Sequence, residues 1–259
     1  MSPDSRSSLL IARDETALAN KAAHVFMETV NNAVRERKRA SVALSGGSIG
    51  KGVLPVLADS YFRTRIPWTE ITFFWADERC VPPKSAESNY GLAKETLLSK
   101  VPVPEENIIR IPGEMESPLE AAKTYQQSLQ IYFGKDVAWP RFDLILLGIG
   151  EDGHTASLFP GTTALKDKVH WVSANIVQEH ASNRITLTLP VLNNARTVLF
   201  LCSGLPKAGI LREILRDDLP KGRFPAQLVM LSDGDLIWLI DKMAASKLPK
   251  DILVKAGNV

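Results

Sequence analysis

FDLILLGIGEDGH, residues 142–154, decides the fold. Its first six residues are almost wholly apolar, the pattern of a strand covered on both faces rather than one with a wet side. Three glycines and three polar or charged residues then follow, too polar and too flexible to continue a strand. ITFFWADER, residues 71–79, repeats the arrangement: a continuous apolar run that ends abruptly in charge. Strands of this kind belong to parallel sheets, and the segments between them should be helical crossovers.

The flanking sequence agrees. Asp14 is placed to cap a helix running to about Lys38, with Leu18, Ala22, Val25, Phe26, Val30 and Ala33 on one face. Arg35, Arg37, Lys38 and Arg39 close it, where cations complement the helix C-terminus. A short strand follows at 40–44, then the turn Ser45-Gly46-Gly47-Ser48 and a helix to about Asp59. Helices are expected at 89–99, at 117–133 with Pro118 in the first turn, and from Gly204 to about Arg216. Further strands are expected at 108–111, near 169–175, at 184–189, at 197–202 and at 236–240. The expected fold is therefore α/β: a doubly wound, mostly parallel, Rossmann-like sheet with helices on both faces. Residues 14–259 form one domain and 1–13 an N-terminal extension. Ligands of such sheets bind beyond the carboxyl ends of the strands.

Composition narrows the function. The 259 residues are 45% hydrophobic, and 31 Lys+Arg against 29 Asp+Glu leave a net charge of +2. A nucleic-acid binder would carry a basic domain, so none is expected as a partner. No apolar run approaches the roughly 18 residues that span a bilayer, and residues 1–10 lack the apolar core of a signal peptide. Cys80 and Cys202 are too few for a disulfide framework and lie in apolar stretches, as buried thiols of a reducing compartment. A cytoplasmic monomer without a membrane partner is expected. No Cys-x-x-Cys, His-x-x-x-His or carboxylate cluster of ligand spacing occurs, so no metal is expected.

Two motifs compete for attention. Gly148, Gly150 and Gly153 match the dinucleotide pattern G-x-G-x-x-G, which requires a helix to open there. Pro160 leaves room for at most two turns, and the acidic candidate, Glu179, sits in a polar loop. Gly46-Gly47-Ser48-Ile49-Gly50 matches the nucleophile elbow G-x-S-x-G between a strand and a helix. Ser48, Asp152 and His154 would supply the triad order of a serine hydrolase. However, only one strand precedes the serine, the HGGG-type oxyanion segment is missing, and a spacing of two leaves open whether Asp152 reaches His154.

The same residues serve a different chemistry better. A Gly-Gly turn at a helix start directs backbone N–H groups outward, and Ser45 and Ser48 add hydroxyls: an anion cradle. Asp77, Glu78 and Arg79 at the end of an apolar strand are costly unless paired or facing a cleft. His154, beside Asp152, is placed to act as a general base near neutral pH. Lys207 stands near a helix start, where the dipole disfavours a cation, so a bound anion explains it better. Arg184 opens a strand after a polar loop. His24, His170 and His180 are expected to be structural or solvated.

LSGGS (44–48), ADERCVP (76–82) with SNYG (88–91), GIGEDGHTASLFPG (148–161) and RITLTLPVLNNA (184–195) together resemble the superfamily of 6-phosphogluconolactonases and glucosamine-6-phosphate deaminase/isomerases. The resemblance spans about residues 10–245. It implies a doubly wound fold and hydrolysis of 6-phospho-D-glucono-1,5-lactone in the oxidative pentose phosphate pathway, without a cofactor. It places His154 as general base, and Asp152 is expected to orient the imidazole. Gly46, Gly47, Arg79, Arg184 and Lys207 fall where the superfamily contacts its substrate, and Ser45, Ser48 and Asp77 are expected to join them. The deaminases carry glutamate where Phe159 stands and tyrosine where Arg79 stands; both differences favour the lactonase branch. A non-catalytic sugar-phosphate sensor on the same fold would carry a DNA-binding segment, for which the residues before Asp14 are too few.

Overall fold

A computed structural model of the chain describes residues 5–47, 49–176, 183–216 and 222–255. Six parallel strands form its centre. They are β1 (Ser5–Ala12), β2 (Ala40–Leu44), β3 (Ile71–Trp75), β5 (Leu144–Leu147), β8 (Thr197–Cys202) and β9 (Gly234–Asp241), in the order β1-β9-β8-β5-β2-β3. Every residue of β2, β3, β5 and β8 is buried, the consequence of cover on both faces.

The helices are α1 (Glu15–Arg37), α2 (Leu54–Leu57), α3 (Ser60–Arg63), α4 (Asn89–Ala93), α5 (Pro118–Phe133), α6 (Thr163–Lys166), α7 (Leu189–Asn193), α8 (Ala208–Leu215), α9 (Lys242–Ala245) and α10 (Lys250–Lys255). α1 begins where the sequence places it: Asp14 Oδ1 accepts from the Ala17 N–H at 2.8 Å. Leu18, Ala22, Phe26, Val30 and Ala33 are buried, with Val25 at the margin. Arg37, one of the closing cations, forms a 2.9 Å ion pair with the buried Asp143.

The first departure from expectation is at the N-terminus. Residues 5–12 are a strand of the sheet, not an extension, and pair in parallel with β9 from Ser5↔Gly234 to Ala12↔Asp241. The run SRSSLLIA alternates too weakly to announce a strand; its partner lies more than two hundred residues away. The second departure is a separate antiparallel sheet of three strands, β4 (Asp77–Arg79), β7 (Arg184–Leu187) and β6 (Val172–Asn175). Two segments expected in the parallel sheet, near 169–175 and 184–189, belong here. The chain passes between the sheets at Ala76, whose N–H donates to Leu44 O and whose carbonyl accepts from Leu187 N–H.

Other expected elements are irregular. The helix after the Gly-Gly turn begins with the wide turn of Ile49–Val53 before becoming α2, and α4 continues as the wide turn Lys94–Leu98. Residues 108–111 contribute a single bridge, Phe73↔Ile108, rather than a strand.

The chain leaves β2 for the edge at β3 and then returns to the other side of β2 at β5. That reversal opens a crevice beyond the carboxyl ends of β2 and β5, where this class of sheet binds its ligands.

Candidate active site

The crevice is a cleft of about 410 Å³ at those strand ends. Ser45, Gly46 and Gly47 reach it from β2, Asp77 and Arg79 from β4, His154 from the loop after β5, Arg184 from β7, and Lys207 from the turn after β8. Ser48 lies outside the described residues, as do Glu179 and His180. Asp152 does not line the cleft; it stands behind His154.

The loop after β5 builds the reactive pair. Asp152 Oδ1 lies 2.6 Å from His154 Nδ1 and also accepts from the His154 backbone N–H at 3.1 Å. Thus a spacing of two does bring carboxylate and imidazole together, because the loop curls: Gly150 N–H donates to His154 O at 2.9 Å, and Gly153 takes φ +79°. Gly150 is required by contact. A Cβ there would stand 2.0 Å from His154 Nδ1 and 2.5 Å from Asp152 Oδ1. Burial works to raise the Asp152 pKa, but the hydrogen bonds and charge of His154 outweigh it and hold the carboxyl below its ordinary value. Phe159 packs beside the imidazole, its ring tilted by 45° with the centroid 4.4 Å away. No helix opens at Gly148–Gly153, so the dinucleotide pattern there has no structural counterpart.

The two cradle glycines have different reasons. Gly47 has φ +66° and open space around it. Gly46 is held small by Asn89, whose Oδ1 would lie 1.9 Å from an added Cβ. The Ser45 hydroxyl is buried without a hydrogen-bond partner. So is Arg79 Nε, although the same guanidinium donates through Nη1 to Glu87 O at 2.6 Å. Unsatisfied buried donors are rare and point to a missing acceptor.

The cations are crowded. Arg79 and Arg184 stand directly opposite each other in the β4–β7 ladder, an arrangement that is unfavourable for like charges. Burial, and then the charge of Arg79, lower the Arg184 pKa. Lys207 occupies the N-cap of α8 with no side-chain cap bond, and it enters no ion pair among the described residues. Asp77 is the acidic group of this cleft wall; Ser157 Oγ donates to its Oδ2 at 2.8 Å. A pocket with three cations, one carboxylate and orphaned donors suits an anionic ligand bearing hydroxyls.

Sequence reasoning did not single out Asn89 and Ser157 as site residues. Both sit in quoted motifs, but as neutral side chains in SNYG and HTASLFPG they carry no signal of charge. His24 bonds Asn20 O on α1 and His170 bonds Asp167, both exposed, so neither belongs to the cleft. Among the described residues, no group of three or more His, Cys, Asp or Glu side chains is placed to hold a metal ion, and no helix is long and apolar enough to cross a membrane.

Comparison with known proteins places this arrangement. The family model described as glucosamine-6-phosphate isomerases/6-phosphogluconolactonase matches residues 13–238. The chain is 38% identical over 220 residues to the 6-phosphogluconolactonase of Synechocystis sp., covering 85% of this chain and 89% of that one. It is 32% identical over 244 residues to the 6-phosphogluconolactonase of Nostoc sp., covering 94% and 99%. The solved 6-phosphogluconolactonase of Trypanosoma cruzi superposes with a TM-score of 0.84 at 28% identity, covering 96% of this chain and 98% of that one. The chain therefore belongs to the glucosamine-6-phosphate isomerase/6-phosphogluconolactonase family.

Proposed function

We propose that the protein hydrolyses 6-phospho-D-glucono-1,5-lactone to 6-phospho-D-gluconate, in the oxidative pentose phosphate pathway, with His154 as general base. The observation that carries the reading is the His154–Asp152 contact opening into a cleft otherwise walled by Arg79, Arg184 and Lys207. The names of the relatives support the substrate.

The chemistry follows from the geometry. Cations and the Ser45–Gly46–Gly47 turn hold the phosphate, so binding energy remote from the reacting carbon positions the lactone. Asp152 accepts a hydrogen bond from Nδ1–H, which keeps that proton on the ring and leaves Nε2 as the basic nitrogen. Nε2 takes a proton from water as the water oxygen attacks C1. Cleft N–H donors stabilise the oxyanion. The C1–ring-oxygen bond then breaks, the imidazolium returns its proton to the ring oxygen, and the new carboxylic acid ionises to solvent. Neither a metal nor an organic cofactor is needed, because a lactone is already activated. Phe159 places an aromatic ring beside His154 where ring-opening deamination would use a carboxylate, which supports the lactonase branch.

A lactone-hydrolysis assay corrected for spontaneous hydrolysis tests the reading. His154→Ala should lower kcat by about 10²–10⁴ with little change in KM; turnover near wild type would refute it. Ser48→Ala should weaken binding and keep the chemistry. Loss of all turnover in that variant, with an acyl-enzyme trapped in the wild type, would instead establish a serine hydrolase.

A further inference from the structure

Between Asp77 and Arg79, both in the cleft, stands a carboxylate that never reaches it. Glu78 is 2% exposed, and it accepts from four donors. Oε1 takes the Arg79 and Asn89 N–H groups, each at 2.8 Å; Oε2 takes Ser88 Oγ at 3.0 Å and the Tyr90 N–H at 2.8 Å. Burial pushes its pKa up, against the pull of those N–H groups. A carboxylate this deeply buried is costly to keep. Part of its work is at the start of α4: Ser88 Oγ accepts the Gly91 N–H at 3.0 Å, and Glu78 takes the Asn89 and Tyr90 N–H groups that precede it.

Its neighbours show what else it holds. The 87–90 segment braces the cleft at two points. Glu87 O accepts from the Arg79 guanidinium at 2.6 Å. Asn89 donates to Asp77 O at 2.9 Å and packs against Gly46 so closely that no Cβ fits. Glu78 bonds this segment to the β4 backbone and so fixes Arg79 and the Gly46 turn relative to each other.

We propose that Glu78 is the positioning residue of the anion-binding half of the cleft, acting through Asn89 and Arg79 rather than on the ligand. The proposal rests on the sugar-phosphate reading above for the identity of the anion. Glutamine cannot replace the carboxylate, because its amide NH₂ would face the Tyr90 or the Asn89 N–H, donor against donor.

The test compares Glu78→Gln, Ser88→Ala and the stability control Leu129→Ala, which truncates a buried side chain of α5, a helix that does not line the cleft. Binding of inorganic phosphate is measured calorimetrically, and KM and kcat on the lactone are measured separately. Glu78→Gln should weaken phosphate binding and raise KM about tenfold while kcat stays within about threefold, the pattern of misplaced binding groups beside an intact reactive pair. Ser88→Ala, which removes one donor to Glu78 together with the acceptor of the Gly91 N–H, should move binding the same way by about threefold. Leu129→Ala should lose thermal stability with phosphate affinity unchanged. Wild-type phosphate affinity in Glu78→Gln, or an equal loss in Leu129→Ala, would overturn the proposal. If Glu78→Gln does not fold, Ser88→Ala decides: unchanged affinity refutes. A wild-type chain that binds phosphate but leaves the lactone intact refutes the lactonase reading alone. One that binds no phosphate refutes both.

Discussion

At the scale of single residues, the site is governed by what cannot be enlarged and by what stands against its own local environment. Gly150 is the first kind. Any side chain there enters the space of His154 Nδ1 and Asp152 Oδ1, so Gly150→Ala should separate the pair. The expected result is a fall in kcat of about 10²-fold, similar to a misplaced general base, with KM within a few-fold, read by steady-state kinetics. Lys207 is the second kind. It caps α8 with the charge that a helix N-terminus disfavours, and it has no ion-pair partner among the described residues. Lys207→Met should therefore stabilise the ligand-free protein by about 0.5 kcal/mol in urea unfolding, and raise KM about tenfold. A site residue whose removal both stabilises the fold and weakens binding is held there by its ligand, not by folding.

At the scale of elements, the cleft depends on where the chain changes sheet and direction. The Ala76 joint carries the strand from β3 into β4, which turns Asp77 and Arg79 across the ends of β2 and β5 and sets Arg79 opposite Arg184. The edge at the far end of the sheet is equally specific. β1 gives β9 a partner along eight residues, and Leu9, Leu10 and Ile11 pack against the core. Removing residues 1–12 should expose the β9 edge and destabilise the protein by roughly 3 kcal/mol or more, from partial loss of three large apolar side chains. Urea unfolding monitored by circular dichroism measures it. A truncated chain as stable as the full one would show that residues 1–12 are an appendage after all.

At the scale of the molecule, one core connects the sheet to its helices, and the thiols report on it. Cys202 is buried in β8 with its pKa pushed up to about 12, and burial also raises that of the half-buried Cys80. In native protein at pH 8, a thiol reagent should leave Cys202 unlabelled and modify Cys80 slowly; both should react together on global unfolding, as followed by mass spectrometry. Much of this molecule was legible in the chain. The continuous apolar runs at 71–76 and 142–147 could be satisfied only by a sheet covered on both faces, and the glycines and charges directly after them marked the end of the sheet at which the cleft opens. The residues of the cleft carried charge or conformational freedom at odds with a plain turn, so His154, Arg79, Arg184 and Lys207 could be named without coordinates. What sequence could not supply was long-range pairing. β1 joins β9 across the whole length of the chain, and β6 and β7 run antiparallel in a sheet of their own, because strand partners are chosen by packing and local propensity does not encode it. The reach of Asp152 to His154, the wedge of Asn89 against Gly46, and the clasp of Glu78 were likewise decided only by tertiary structure. Each is a contact between short side chains and backbone, and a few ångströms of loop curvature determine whether it exists.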